Sequence, residues 1–328
     1  MNFLANFWDN LFSAICASLM SVCAADAGLP EHLFSIDRSW PESEQHAPFG
    51  QATGVGVDSL NRVFVFHRAG REWRKPVPTE TISADTVYVL DGDRGTLLDS
   101  WGSGLFTMPH GLSVDTDNNI WVTDVGSHQV HKFTPDGKLL LTLGQSGEQG
   151  SDEFHFAQPT DVAFDDDGGV YVSDGYLNTR VVKFSKDGNF LFQWGTGGDG
   201  PGQFDLPHGI ATDKLGRVYV ADRSNSRIQV FSIDGEFMEE WKRPHVGRPY
   251  GVDVSPSGDV FVIDGGDQPF WTKTRVRKLD GEGTLTGLVD LVFDDATPVL
   301  GHDIAIGPDG AIYVVDAWAN KVQKLLPN

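Results

Sequence analysis

Three histidines, His110, His208 and His302, occupy the same place in a unit that the chain repeats. Each opens a segment that runs on as apolar alternation, a turn and a second alternating run. Matching segments begin at Thr53, Thr160 and Tyr250, so the set has six members in which histidine alternates with another residue. If the units close into a ring, approximate six-fold symmetry sets the imidazoles about 120° apart at one end of the axis. Three neutral imidazoles without a fourth protein ligand are the donor set of a catalytic zinc site, which keeps a position open for water or substrate. Duplication of an ordinary strand-end histidine would explain the recurrence but not the alternation. His67, His128, His131, His155 and His245 share no column and read as packing or surface residues.

The second run of four repeats ends in aspartate and a small residue, at Asp124-Val125, Asp174-Gly175, Asp264-Gly265 and Asp316-Ala317. In repeats one and four the following position is an arginine, Arg68 and Arg223. A second strand antiparallel to the first returns to the end where the first began, so both arginines face the rim that carries the histidines. A pair of guanidinium forks suits a carboxylate-bearing substrate. A salt bridge within the loop is the alternative for either arginine alone. Tyr176 follows Gly175, and its phenol can reach the same space.

These positions require a repeated sheet. The third repeat reads as strands at Asp161–Phe164, Val170–Ser173, Arg180–Phe184 and Phe190–Trp194, with turns at 165–169 and 186–188. Four antiparallel strands per unit and six units make an all-β, six-bladed β-propeller with NHL-type repeats spaced roughly fifty residues apart. The last repeat ends at Val322–Leu326 without a fourth strand, and a short strand within 32–41 is expected to supply it and close the blade. One propeller then spans 28–328, with 1–27 as a separate segment. Two long connections, His67 to Thr86 with Arg68, Arg71, Arg74 and Lys75, and Gly265 to Thr274 with Pro269, Phe270 and Trp271, should lie on one face.

The formal net charge of -21 and the absence of a basic run argue against nucleic acid as a partner. Both cysteines, Cys16 and Cys23, lie in the N-terminal segment, so a metal in the repeats must be held by nitrogen and oxygen. Leu11 to Val22 has the apolar character of a signal-peptide core, and Ala25-Asp26-Ala27 would serve as a cleavage site, which points to a secreted or periplasmic protein. No Lys or Arg precedes that core, so an N-terminal helix on a cytoplasmic protein is the alternative. The apolar stretch is shorter than the roughly 18 residues of a membrane span. A monomer acting on a small molecule or peptide is expected.

Taken together, Phe66-His67-Arg68, Met108-Pro109-His110-Gly111-Leu112, Ser173-Asp174-Gly175-Tyr176-x-Asn178-x-Arg180, Leu206-Pro207-His208, Ala221-Asp222-Arg223-x-Asn225 and His302-Asp303-Ile304 resemble peptidyl-α-hydroxyglycine α-amidating lyase, also called peptidylamidoglycolate lyase. The resemblance runs from about residue 50 to the end and implies cleavage of a peptidyl- or N-acyl-α-hydroxyglycine to an amide and glyoxylate. It implies zinc on His110, His208 and His302, Tyr176 as base, and Arg68 and Arg223 completing the site. It also implies a structural calcium on Asp303 and the backbone carbonyls of Val55 and Leu112, oxygen ligands suited to a hard cation. Two positions depart from the family pattern: Leu177 replaces a disulfide cysteine of animal members, and Leu300-Gly301 replaces the Met-Pro before the last histidine. In animals the family acts after a copper monooxygenase, and a separate oxidase would have to serve this chain. A calcium-dependent lactonase-like hydrolase and a non-catalytic NHL-type scaffold are the rival readings; the imidazole column argues against the first.

Overall fold

Runs of Val, Ile, Tyr and Phe broken by Asp-Gly and related turns form short antiparallel hairpins. The computed structural model describes residues 33–42, 49–266, 274–291 and 299–328. In these there are six four-stranded sheets, the first five following one another in chain order and each connected as a meander. The third comprises Pro159–Phe164, Val170–Asp174, Arg180–Phe184 and Phe190–Trp194, matching the expected strands to within two residues. The first two strands of that sheet are almost wholly buried, whereas Phe190–Trp194 alternates between half-buried and exposed. Each blade therefore runs from hub to perimeter. The apolar core is divided among the wedges between blades; Phe64, Phe66, Phe106, Leu112 and Val122, for example, fill the first.

The sixth blade joins Gly301–Ile306, Ile312–Asp316 and Lys321–Pro327 to Phe34–Asp37, with Phe34 opposite Pro327 and Asp37 opposite Lys324. The N-terminal strand does close the ring, and it is shorter than the 32–41 stretch that contains it. The chain leaves the sheet so that Trp40 can bury itself between the first and last blades. There its indole nitrogen donates to the Asp91 carbonyl at 3.1 Å and its ring meets Tyr313 at 5.1 Å. Segment 1–27 and most of the connection 265–274 lie outside the described residues. Among the described residues no helix is long and apolar enough to cross a membrane.

The aspartate that ends the second strand is a fastening. Asp124, Asp174, Asp222, Asp264 and Asp316 accept backbone amides from the segment entering their own blade, at Met108, Ala157, Asp205, Arg248 and Leu300. In blade one His67 takes that place, its Nδ1 accepting the Ala69 amide at 3.1 Å, so its packing role is confirmed. Three of the aspartates also pair with buried arginines, Arg180, Arg227 and Arg277.

Replacing Trp40 by alanine removes the wedge that seals the first blade against the last. Truncation of a buried tryptophan costs ~3–5 kcal/mol, and a urea titration should show a loss of that size. A loss below about 1 kcal/mol, in the range of a surface substitution, would show that ring closure does not depend on this contact.

Candidate active site and metal centre

All six inner strands carry a register shift against their neighbours at the column residue: between Ala52 and Gly54, Pro109 and Leu112, Pro159 and Asp161, Pro207 and Ile210, Pro249 and Val252, and Gly301 and Asp303. A bulge re-aims one side chain out of the alternating pattern. Here it turns Thr53, His110, Thr160, His208, Tyr250 and His302 towards the hub, and all six line one small cavity there.

The three imidazoles meet. Their ring centroids are 4.6 to 4.8 Å apart, and each offers a ligand nitrogen within 4.8 Å of the others. What orients them is the next blade. Nδ1 of His110 donates to the Thr160 carbonyl at 2.7 Å, that of His208 to Tyr250 at 2.9 Å, and that of His302 to Thr53 at 2.7 Å. A carbonyl only accepts, so the proton sits on Nδ1 and the Nε2 lone pair is left for the axis. Nε2 of His208 has no hydrogen-bond partner among the described residues. Burial, with the charges of Arg68 and Arg223 adding to it, pushes His302 down to about 3. Burial likewise holds His110 and His208 well below the usual imidazole range. The set is therefore neutral at neutral pH and fits a divalent ion that takes nitrogen ligands.

The Tyr176 hydroxyl stands 3.0 Å from Nε2 of His110. Gly175 allows this, because a Cβ there would lie 1.8 Å from the Pro207 carbonyl oxygen. Close passage of the chain lets the next residue lean over the hub. Arg68 is buried, donating from Nε to the Pro109 carbonyl at 3.0 Å and from Nη1 to the Gln51 side chain at 2.7 Å. Burial lowers its pKa to about 10, partly offset by Tyr176. Arg223 lies with its guanidinium 4.2 Å from the Tyr250 ring centre, and its Nε has no partner among the described residues. Neither arginine forms an ion pair there, which removes the salt-bridge reading. The inward arginines instead meet the charge-free side of three imidazoles, where an anion would relieve them.

Sequence reasoning missed Trp73, Gln51 and Tyr250. The Trp73 indole lies between the Arg68 guanidinium, at 5.0 Å, and the Tyr176 ring, at 5.0 Å. Its amide donates to the same Gln51 oxygen that receives Arg68. The basic insertion that contains Trp73 was legible as a functional loop; a single aromatic within it carried no pattern.

Below the imidazoles the channel turns acidic. Asp303 accepts the amides of Val55 and Ile304, and Asp161 those of Ile210 and Val162. Asp253 lies one layer further along, accepting Val254 and Ile306. Burial raises all three: Asp161 to about 7, Asp253 to about 6, and Asp303 well above the carboxylate range, where Asp161 adds repulsion. Val55, Leu112 and Asp303 line the same cavity of about 450 Å³ in this half of the channel. A hard cation would relieve the cost of charging these carboxylates, so the donor chemistry fits calcium.

An NHL repeat profile matches residues 106–133, 156–184 and 204–231, the inner parts of blades two to four. NHL repeat-containing protein 3 of Mus musculus is 32% identical over 97% of this chain and 92% of its own length. The chain belongs to the NHL-repeat propeller family. Within that family it is 41% identical to the peptidyl-glycine alpha-amidating monooxygenase of Mus musculus over 84% of this chain, a match that spans 30% of the relative's length. It is 39% identical to a probable peptidyl-alpha-hydroxyglycine alpha-amidating lyase of Caenorhabditis elegans, over 64% of this chain and 62% of the relative. A streptogramin B lyase structure covers 90% of the chain with a TM-score of 0.59 at 15% identity, a likeness of fold.

The buried imidazoles tie stability to pH. An unfolded histidine takes up a proton from about pH 6.5, whereas folded His302 does so only near 3. The metal-free protein should therefore lose stability as pH falls from about 6.5 towards 3. Asp253 acts in the opposite sense: the unfolded carboxyl ionises near pH 4 and the folded one near 6, so its contribution is lost as pH rises through that window. Denaturant titrations with chelator should show His302→Phe flattening the loss of stability towards acid and Asp253→Asn, which removes an opposing contribution, steepening that loss between about pH 4 and 6. An unaltered acid slope in His302→Phe would refute a neutral buried imidazole.

Proposed function

We propose that this chain is a zinc-dependent carbon–nitrogen lyase, cleaving a peptidyl- or N-acyl-α-hydroxyglycine to an amide and glyoxylate. The observation that carries the reading is the phenol of Tyr176 at 3.0 Å from Nε2 of His110, inside a ring of three neutral imidazoles. Family membership alone does not give a reaction, because NHL repeat-containing protein 3 carries no activity in its name. The residues supply it, together with the relatives named as amidating lyases.

His110, His208 and His302 would hold the zinc, which when bound supplies Lewis-acid stabilisation to the substrate oxygen on which negative charge develops. Tyr176 takes the proton from the substrate hydroxyl. As that O–H bond breaks, the carbon–oxygen double bond of glyoxylate forms and the electrons of the C–N bond pass to nitrogen. The amide nitrogen gains one proton for the one the hydroxyl loses, so the reaction is proton-neutral overall. Arg68 lies close enough for its charge to act on the Tyr176 oxygen during the transfer. Arg223 holds the substrate carboxylate, and Trp73 covers the phenol from solvent. Asp303, with the carbonyls of Val55 and Leu112, would hold a structural calcium deeper in the channel.

Metal analysis and a glyoxylate-release assay on N-benzoyl-α-hydroxyglycine test the proposal. His208→Ala should lose both zinc and turnover. Tyr176→Phe should keep the zinc and lose turnover by about 10²–10⁴-fold, the usual weight of a general base. Full activity in Tyr176→Phe removes the base assignment, and a protein that binds no metal and releases no glyoxylate is a binding scaffold.

A further inference from the structure

We infer that Tyr250 is a positioning residue that holds Arg223 as the carboxylate-binding arm of the site; the inference rests on the lyase reading. The other two column residues without an imidazole have a purely structural use. Thr53 donates its hydroxyl to the Pro109 carbonyl at 3.2 Å and Thr160 to the Pro207 carbonyl at 2.9 Å, each tying its blade to the next. Repeat five lacks the donor of that link: Tyr250 stands in place of threonine, and the facing residue of the sixth blade is Gly301 instead of proline, its amide donating to Thr274 Oγ1 at 3.0 Å.

The space this frees holds an aromatic ring beside the imidazoles. The Tyr250 ring centre is 5.0 Å from that of His208 and 5.9 Å from that of His302, and the side chain is 1% exposed. Gly265 makes room for it, since a Cβ there would lie 2.3 Å from the ring. The ring carries Arg223 at 4.2 Å on one contact and Arg248 at 5.5 Å on another, and the Arg248 guanidinium also donates to the phenol oxygen at 3.2 Å. Burial, against the pull of the Tyr250 oxygen, holds Arg248 below its ordinary pKa, and the nearness of Arg223 adds to the shift.

Comparison with three buried arginines of the blades separates the half-buried Arg223. Arg180, Arg227 and Arg277 each pair with an aspartate and with backbone carbonyls, which accounts for their charge structurally. Arg223 has no carboxylate among the described residues and an unpartnered Nε. Its orientation comes from the face of Tyr250, as expected when a guanidinium is stacked on a ring. The acid end of the substrate is thereby placed on the blade-four to blade-five side of the hub, opposite Arg68.

The test compares zinc-loaded wild type with Tyr250→Phe, Tyr250→Leu and Tyr250→Thr, the last restoring the residue found in repeats one and three. Calorimetry with N-benzoylglycine, which has the carboxylate but no hydroxyl and cannot be cleaved, reads binding alone. Loss of the ring in the Leu and Thr variants should weaken binding and raise KM about tenfold, with kcat within about twofold. Tyr250→Phe, keeping the ring, should stay within about threefold of wild type on both. Leu and Thr variants that bind as tightly as wild type overturn the inference, as does a lowered zinc content or melting temperature with unchanged affinity. A wild type that binds no N-benzoylglycine overturns it too. A wild type that binds the probe, loses it on ring removal and releases no glyoxylate leaves Tyr250 in place and removes the lyase reading instead.

Discussion

Three hydrogen bonds from imidazole to main chain fix the geometry of the hub. Each joins an Nδ1 to a carbonyl of the following blade, so the direction of every ligand nitrogen depends on the register between two sheets. The side chains themselves have little freedom, because they are buried and their tautomer is fixed by an acceptor that cannot donate. A ring that opened or slipped would part the three imidazoles even with all three histidines intact. That is why the fastenings elsewhere matter to the chemistry: the aspartates that grip the entering strands, their arginine partners, and the tryptophan between the first and last blades.

The hub is also sorted by charge in a way that the net charge of the chain conceals. Neutral imidazoles and Tyr250 line one small cavity that Asp161 and Asp303 also reach, and those two carboxyls with Asp253 line the channel beyond it. An acidic protein thus presents an anion-seeking mouth, with its buried carboxyls turned to the other half of the channel. The separation is made by one step of the strand, since His302 and Asp303 are neighbours in sequence. Had the carboxylates stood at the level of the imidazoles, they would have neutralised the arginines and raised the histidines.

The histidine column was legible because a repeat of this length carries its own alignment. Arg68, Arg223 and Tyr176 were legible for the same reason, as departures from a recurrent aspartate and small residue. The bulge that aims the column residues was not, since a bulge is a property of two strands and neither sequence alone encodes it. Trp73 and Gln51 act through a loop and a single oxygen shared by two donors, relations with no period. The aspartates were visible as a pattern, yet their partners are backbone amides, which every residue offers alike. Tyr250 was read only as the absence of histidine, although its exchange for threonine was coupled to the loss of proline at 301.

The strand Phe34–Asp37 lies at the outer edge of the sixth blade, as far from the axis as a strand can be. The strand that closes the ring therefore does not pass across the mouth where Arg68, Tyr176 and Arg223 gather. A propeller closed in this way can carry a second folded unit on its flank while its entrance stays open to solvent. The architecture is thus compatible with tandem arrangement.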